Sequence, residues 1–217
     1  MAIYVTSDAH GHVCALDEAL SKISLTSDDT LYVLGDMIDR GPDPVGVIKL
    51  VRSLPNARVL KGNHEQIMLD AIIGQDPLDA ETWDINGGWT TREQLNDMEF
   101  EAYEELVRWM AGLPLYAVAE TEERPYLLVH AGIETEAARA FLLEHGVDCA
   151  DGAGAVGADR ELLQQMLAVQ SSDDLLWIRH GYWDAPTGLL SAEGKGPVVV
   201  SGHTPTVSLG RYCEVGG

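Results

Sequence analysis

Basic side chains are scarce in this chain: Lys and Arg total 14 against 35 Asp and Glu, a formal net charge of -21. Duplex binding relies on phosphate neutralisation by clustered Lys and Arg, so nucleic acid is not an expected partner. The same field repels phosphorylated ligands at long range, yet screening over roughly 8 Å lets a locally positive site prevail at contact. Such a site needs metals or arginines. Cysteine is sparse too. Cys14, Cys149 and Cys213 are odd in number, far apart and in no metal-knuckle spacing. They argue against a disulfide framework and a thiolate metal site, and read as buried or incidental thiols. Long apolar runs are missing, since none approaches the roughly 20 residues of a membrane-spanning helix. The start, Met1-Ala2-Ile3-Tyr4-Val5, leads straight into a strand pattern, without the basic region and apolar segment of a signal peptide. No membrane partner is expected, and the cytoplasm is the expected compartment.

What is present is the composition of an ordinary globule, 46% hydrophobic and 23% charged over 217 residues. That suffices for a large core without staples. With no internal repeat and no linker composition, a single domain over residues 1–217 is expected.

Polar clusters recur directly after short apolar, β-branched runs. Ile3 to Thr6 reads as a strand followed by Ser7-Asp8-Ala9-His10-Gly11, and helical spacing then runs from Val13 to Ile23. Thr30 to Leu34 reads as a buried strand that delivers Gly35-Asp36-Met37-Ile38-Asp39-Arg40-Gly41-Pro42 at its carboxyl end, where ligand sites of α/β sheets lie. Asp43-Pro44 starts a helix to Ser53, and Ala57 to Leu60 is a third strand, leading into Lys61-Gly62-Asn63-His64-Glu65. Asn63 and Gln66 have capping-box spacing for a helix from Gln66 to Ile73. Gly74 to Met98 lacks sustained periodicity and reads as an insertion or lid around Asn86-Gly87-Gly88, with a helix over Phe100 to Met110 beyond it. Strands are expected at Leu115 to Ala119 and Tyr126 to Val129, the latter running into His130-Ala131-Gly132. Helices are expected over Glu136 to Glu144 and Arg160 to Gln170. Leu175 to Ile178 is a short apolar run ending at Arg179, and a late strand from Pro197 to Val200 ends in Ser201-Gly202-His203-Thr204.

Asp8, His10, Asp36, Asn63, His130 and His203 are thus oxygen or nitrogen donors placed just beyond strands. Carboxylate and amide oxygens mixed with imidazoles suit Mn, Fe or Zn, and the number of donors suits two metals with a shared Asp. Asp8 and Asn63 each also suit a helix cap, and a lone His130 or His203 suits a hydrogen-bonded core histidine. His12, His145 and His180 lack the pattern and read as structural.

In order, Asp8-Ala9-His10-Gly11, Gly35-Asp36 to Arg40-Gly41, Gly62-Asn63-His64-Glu65, His130-Ala131-Gly132 and Gly202-His203-Thr204 resemble the signature of the calcineurin-like metallophosphoesterases. Within them the chain is similar to the phosphoprotein phosphatase family, in its bacterial and lambda phosphatase-like branch, with Asn86-Gly87-Gly88 and Leu175 to Arg179 in support. The resemblance implies an α/β fold, a four-layer αββα sandwich of two mixed β-sheets. It implies two divalent metals, Mn before Fe or Zn: one on Asp8, His10 and Asp36, the other on Asp36, Asn63, His130 and His203. Water between them would attack phosphorus with no phosphoenzyme, His64 would protonate the leaving oxygen, Asp39 would orient His64, and Arg40 and Arg179 would grip the phosphate.

The activity so implied is phosphomonoester hydrolysis on phosphoSer or phosphoThr, with phosphoTyr as a further target, in proteins or peptides, and on small phosphomonoesters in vitro. The Asn-Gly-Gly segment would form part of the substrate rim. The rival is symmetrical diadenosine tetraphosphate hydrolysis, with a non-catalytic metal-binding protein behind it. Asp39 before Arg40 and Glu65 after His64 resemble the protein phosphatases. Two departures stand out. Lys61 replaces a frequent Arg, and relatives continue with further strands where this chain reaches Gly217 soon after His203, so either a truncated chain or a shorter second sheet is expected.

Overall fold

The computed structural model describes residues 1–74, 76–149, 152–179, 182–183 and 185–205. The chain is α/β and forms two compact units, Met1–Pro114 and Leu115–Gly217.

In the first unit, β1 (Ile3–Thr6), β2 (Thr30–Val33) and β3 (Ala57–Val59) form a parallel sheet in that order. Ile3 faces Thr30 and Leu31 faces Ala57. Parallel neighbours need crossovers, which α1 (Val13–Ile23) and α2 (Pro44–Ser53) supply. The central strand is the buried one: Leu31, Tyr32 and Val33 are all inside, as a parallel strand covered on both faces requires. α2 starts where the Asp43 carboxylate accepts the Gly46 N–H at 2.8 Å, with Pro44 in its first turn. Its Val47, Ile48 and Val51 meet Val33, Met37, Ile38 and Met68 in the core.

α3 spans Asn63–Ile73 and so begins earlier than the sequence suggests. The side chain that closes its first turn is Glu65, not the Asn63 and Gln66 pair, because the Glu65 carboxylate accepts the Gly62 N–H at 2.8 Å. The stretch expected as an irregular insertion folds as α4 (Pro77–Ile85) and α5 (Trp89–Asn96), followed by α6 (Phe100–Ala111). α4 has a start signal, since Asp76 accepts the Leu78 N–H at 2.9 Å ahead of Pro77. Its periodicity is faint because it buries only Trp83, while α5 buries Thr90, Thr91 and Leu95.

In the second unit, β4 (Tyr116–Glu120) pairs antiparallel with β5 (Pro125–Val129), and β6 (Val198–Val200) lies parallel on the other side of β5. This sheet is mixed, whereas among the described residues the first is parallel throughout, each of its connections carrying a helix. α7 (Thr135–Glu144), α8 (Arg160–Ala168) and α9 (Ser172–Trp177) complete the unit around Leu127, Val129, Ile133, Leu142, Leu163 and Met166. The apolar run at Leu175 belongs to α9, whose first turn is closed by Ser171 Oγ accepting the Asp174 N–H at 3.0 Å. Cys14 is an exposed and Cys149 a buried free thiol. Cys213, His180 and the chain from 206 onward lie outside the described residues. No helix among the described residues is long and apolar enough to cross a membrane.

Candidate metal centre

Asp8, His10, Asp36, Asp39 and Arg40 lie in the loops after β1 and β2, and Asn63 and His64 open α3 after β3. Backbone pairing continues past β1 and β2: Leu34 N–H donates to Thr6 O at 2.8 Å, Asp8 N–H to Gly35 O at 3.1 Å, His10 N–H to Asp36 O at 2.9 Å and Gly11 N–H to Met37 O at 2.8 Å. Asp8, His10, Asp36, Asp39 and Arg40 stand in the left-handed region with φ between 41° and 68°, and His203 in the second unit has φ 63°. The one further described non-glycine residue with positive φ is Ser24, the αL cap of α1. Left-handed backbone is costly for residues with a Cβ and gathers at functional sites, so its concentration in these loops marks them. Gly35, at φ 91°, has no room for a side chain, because a Cβ there would run into the Gly62 backbone.

His10 Nε2 lies 3.6 Å and His64 Nε2 4.0 Å from Asp36 Oδ2, and the donor atoms of this trio all lie within 4.8 Å of one another. His10 Nδ1 is 2.9 Å from Ile38 O. That bond requires the hydrogen on Nδ1 and puts the lone pair on Nε2, where it accepts from Arg40 NH1 in this structure and could ligate a metal in its place, the orientation outer-sphere partners commonly give a metal-binding histidine. Burial, aided by the Arg40 charge, lowers the His10 pKa to about 4 against the opposing bond to Ile38. The neutral imidazole that metal binding needs is therefore the resident form. Asp36 is buried, and burial followed by the nearby Glu65 carboxylate raises its pKa well above the usual range. Glu65 is also pushed up by burial, offset by the backbone N–H groups of Asp36, Gly62 and Met37, each donating to it at 2.8 Å. A divalent cation beside Asp36 would relieve the cost of that buried charge, and the carboxylate and imidazole donors fit Mn, Fe or Zn.

Asn63 is buried at the start of α3, and Asp8 is half-buried in the loop after β1, outside the trio. Arg40 is exposed at the mouth and donates from NH1 to His10 Nε2 at 2.9 Å and from NH2 to His64 Nε2 at 2.7 Å. Its backbone N–H donates to Gly87 O at 3.0 Å, which ties the Asn86-Gly87-Gly88 turn to the site. His64 Nδ1 is 2.7 Å from Asp39 Oδ2, both side chains being buried. Trp83 and Thr91, which sequence reasoning left out, close on the same carboxylate: Trp83 Nε1 donates to Asp39 Oδ1 at 3.0 Å and Thr91 Oγ1 to the same oxygen at 2.6 Å. Those contacts span 44 and 52 residues, and no spacing rule connects such positions.

In the second unit, His130 follows β5 and His203 follows β6, both buried, with ring centroids 5.1 Å apart. Gly202 N–H donates to His130 O at 2.8 Å and holds the two loops together. Arg179, expected as a phosphate grip, is exposed and donates from Nε to His203 Nε2 at 2.8 Å and from NH2 to His203 O at 3.4 Å. Two histidines read as structural have local roles. His12 occupies the N-cap position of α1 with no capping hydrogen bond from its side chain, and His145 ends α7, with Nδ1 2.8 Å from Phe141 O and its ring stacked on Phe141.

The chain is similar to known proteins along most of its length. The symmetrical bis(5'-nucleosyl)-tetraphosphatase of Erwinia tasmaniensis is 32% identical over 136 residues, which are 61% of this chain and 45% of that protein. Its counterpart from Salmonella paratyphi C is 30% identical over 225 residues, covering 100% of this chain and 67% of the relative. The chain therefore spans about half to two thirds of the length of these relatives. The phosphatase domain of the Legionella effector WipB aligns with a TM-score of 0.57 at 11% identity, over 94% of this chain and 100% of that domain, a likeness of fold alone. The family model described as calcineurin-like phosphoesterase matches residues 1–215, and the protein belongs to that family.

Proposed function

We propose that this phosphoesterase cleaves symmetrical dinucleoside tetraphosphates, using two divalent metal ions held by Asp8, His10, Asp36, Asn63, His130 and His203. Mn is the proposed pair, with Fe or Zn as alternatives. What supports this substrate class is the name carried by the bis(5'-nucleosyl)-tetraphosphatase relatives. When bound, such ions lower the pKa of water and clamp the attacking and leaving oxygens of an in-line displacement. The remaining steps belong to side chains. Arg40 offers a planar pair of N–H donors to non-bridging phosphoryl oxygens, as does Arg179. His64 has Nδ1 on Asp39 and accepts from Arg40 NH2 at Nε2; with Arg40 engaged on the phosphoryl oxygens instead, Nε2 takes a proton from solvent, Asp39 stabilises the cationic ring, and that proton passes to the departing oxygen. The cytoplasm is the proposed compartment, and neither nucleic acid nor membrane is a proposed partner.

A second reading, hydrolysis of phosphoSer or phosphoThr in proteins or peptides, is favoured by the His64–Asp39 pair itself. A nucleoside diphosphate leaves as a weakly basic anion that gains little from a proton donor. The alkoxide of Ser or Thr is strongly basic and needs one. The test compares turnover by Mn-loaded protein of diadenosine tetraphosphate, phosphoSer, phosphoThr and phosphoTyr peptides, and a generic aryl phosphate. Faster cleavage of the dinucleotide supports the first reading, and faster cleavage of the peptides the second. Absence of turnover on all of them would leave a metal-binding protein without phosphatase activity.

A further inference from the structure

We propose that Trp83 and Thr91 are positioning residues that act through Asp39 on His64 and fix the direction in which its proton is delivered. The inference rests on His64 being the proton donor to the leaving group. Asp39 is fully buried and stands at φ 68°, a conformation that its surroundings have to hold. Thr91 holds it twice, since its hydroxyl accepts the Asp39 N–H at 2.9 Å and donates to Asp39 Oδ1 at 2.6 Å. One hydroxyl thereby locks both main chain and carboxylate. The indole N–H of Trp83 lies across the other edge, 3.0 Å from Oδ1 and 3.2 Å from Oδ2. The oxygen that remains for His64 is Oδ2, 2.7 Å from Nδ1.

An indole N–H donates only, so the Asp39 carboxylate accepts from it, and a carboxylate accepting on every side requires the hydrogen of His64 to sit on Nδ1. Nε2 then accepts from Arg40 NH2, 2.7 Å away, and so faces the group that would carry the phosphoryl oxygens; it holds a proton only in the cationic ring, once Arg40 has turned to the phosphate. Trp83 and Thr91 are themselves buried, and a Cβ on Gly88 would strike the Trp83 ring, so the turn between α4 and α5 closes on the indole. A ring placed only to fill space would not need its single polar atom aimed at a carboxylate.

The test uses Mn-loaded Trp83→Phe, Thr91→Val, Thr91→Ser and His64→Ala proteins on aryl phosphates whose leaving groups run from weakly basic nitrophenols to phenol. Phe keeps an aromatic ring, smaller than the indole, and loses the N–H, Val keeps the shape of Thr and loses the hydroxyl, and Ser restores it. His64→Ala is expected to lose about 100-fold in kcat on phenyl phosphate and little on the nitrophenyl esters. Trp83→Phe and Thr91→Val are expected to show the same selective loss, about tenfold, with Thr91→Ser near the parent and metal content unchanged in all four. Should either Trp83→Phe or Thr91→Val lose more stability than it can bear, the other carries the same readout. Equal loss on all leaving groups, or no loss, in Trp83→Phe and Thr91→Val beside a selective loss in His64→Ala would overturn the positioning role alone. A His64→Ala protein without leaving-group selectivity would overturn the proton-donor reading and the positioning role with it.

Discussion

The Glu65 carboxylate, itself fully buried, accepts the backbone N–H of Asp36 at 2.8 Å, so one acidic residue seats the main chain of another. With Met37 and Gly62 as its other donors, Glu65 ties the loop after β2 to the start of α3.

Removing that brace exposes its worth. Glu65→Ala leaves three buried N–H groups without an acceptor, and at about 1 to 3 kcal/mol per orphaned group it should cost roughly 3 kcal/mol or more. Glu65→Gln retains one acceptor oxygen and should lose less. Urea midpoints of the two variants check the order, and equal midpoints would count against the brace.

Close backbone approach makes a second contrast between glycines of similar φ. Gly35→Ala meets the Gly62 backbone as well as φ 91°, whereas Gly146→Ala has open space at φ 84°. We expect about 1 kcal/mol for Gly146→Ala and about 3 kcal/mol or more for Gly35→Ala, by thermal unfolding.

Metal removal should reveal the strain between Asp36 and Glu65. Both carboxylates have folded pKa values raised above their unfolded ones. Their protonated forms therefore favour the folded state at low pH, and that stability is lost as pH rises through the folded values. In chelator-treated protein at pH 7, Asp36→Asn should raise the melting temperature, while added Mn should stabilise the parent far more than the variant. A variant that is no more stable than the parent without metal would contradict this.

His10 adds a trend of opposite sign. Its folded pKa, about 4, lies below the unfolded value of 6.5, so the unfolded chain binds the extra proton in that window. Stability of the metal-free protein from this source is full above pH 6.5 and lost as pH falls toward 4. His10→Gln should flatten that limb in a pH series of denaturation midpoints.

His64→Ala and Asp36→Ala should part company in metal binding. The first should keep its metal and lose turnover on poor leaving groups, and the second should lose both. Metal analysis after gel filtration decides, and equal metal loss would remove His64 from the role of proton donor.

Much of this was legible in residues 1–65, where the three strands occupy the short apolar, β-branched runs that end in polar clusters. Asp8, Asp36 and His64 leave those strand ends as read, because a parallel sheet sends its carboxyl-end loops to one edge. α4 was not legible, since a helix that buries a single Trp has almost no apolar stripe, nor was α5, two of whose three buried residues are threonines. The Trp83 and Thr91 contacts to Asp39 were hidden for another reason: they are tertiary, and nothing local to either residue announces them. Glu65 was visible as a motif residue, but its three backbone partners depend on how two loops approach.

The hydrogen bonds from Asp8, His10 and Gly11 to the chain beyond β2 have a mechanical consequence. These segments are loops by shape and strands by bonding, so they should open only when the sheet itself opens. Hydrogen exchange at the His10 and Gly11 amides should accordingly be as slow as at Tyr32 and Val33 in β2. Insertions tolerated in other surface turns should be refused here, because one added residue would break the pairing that carries the donors.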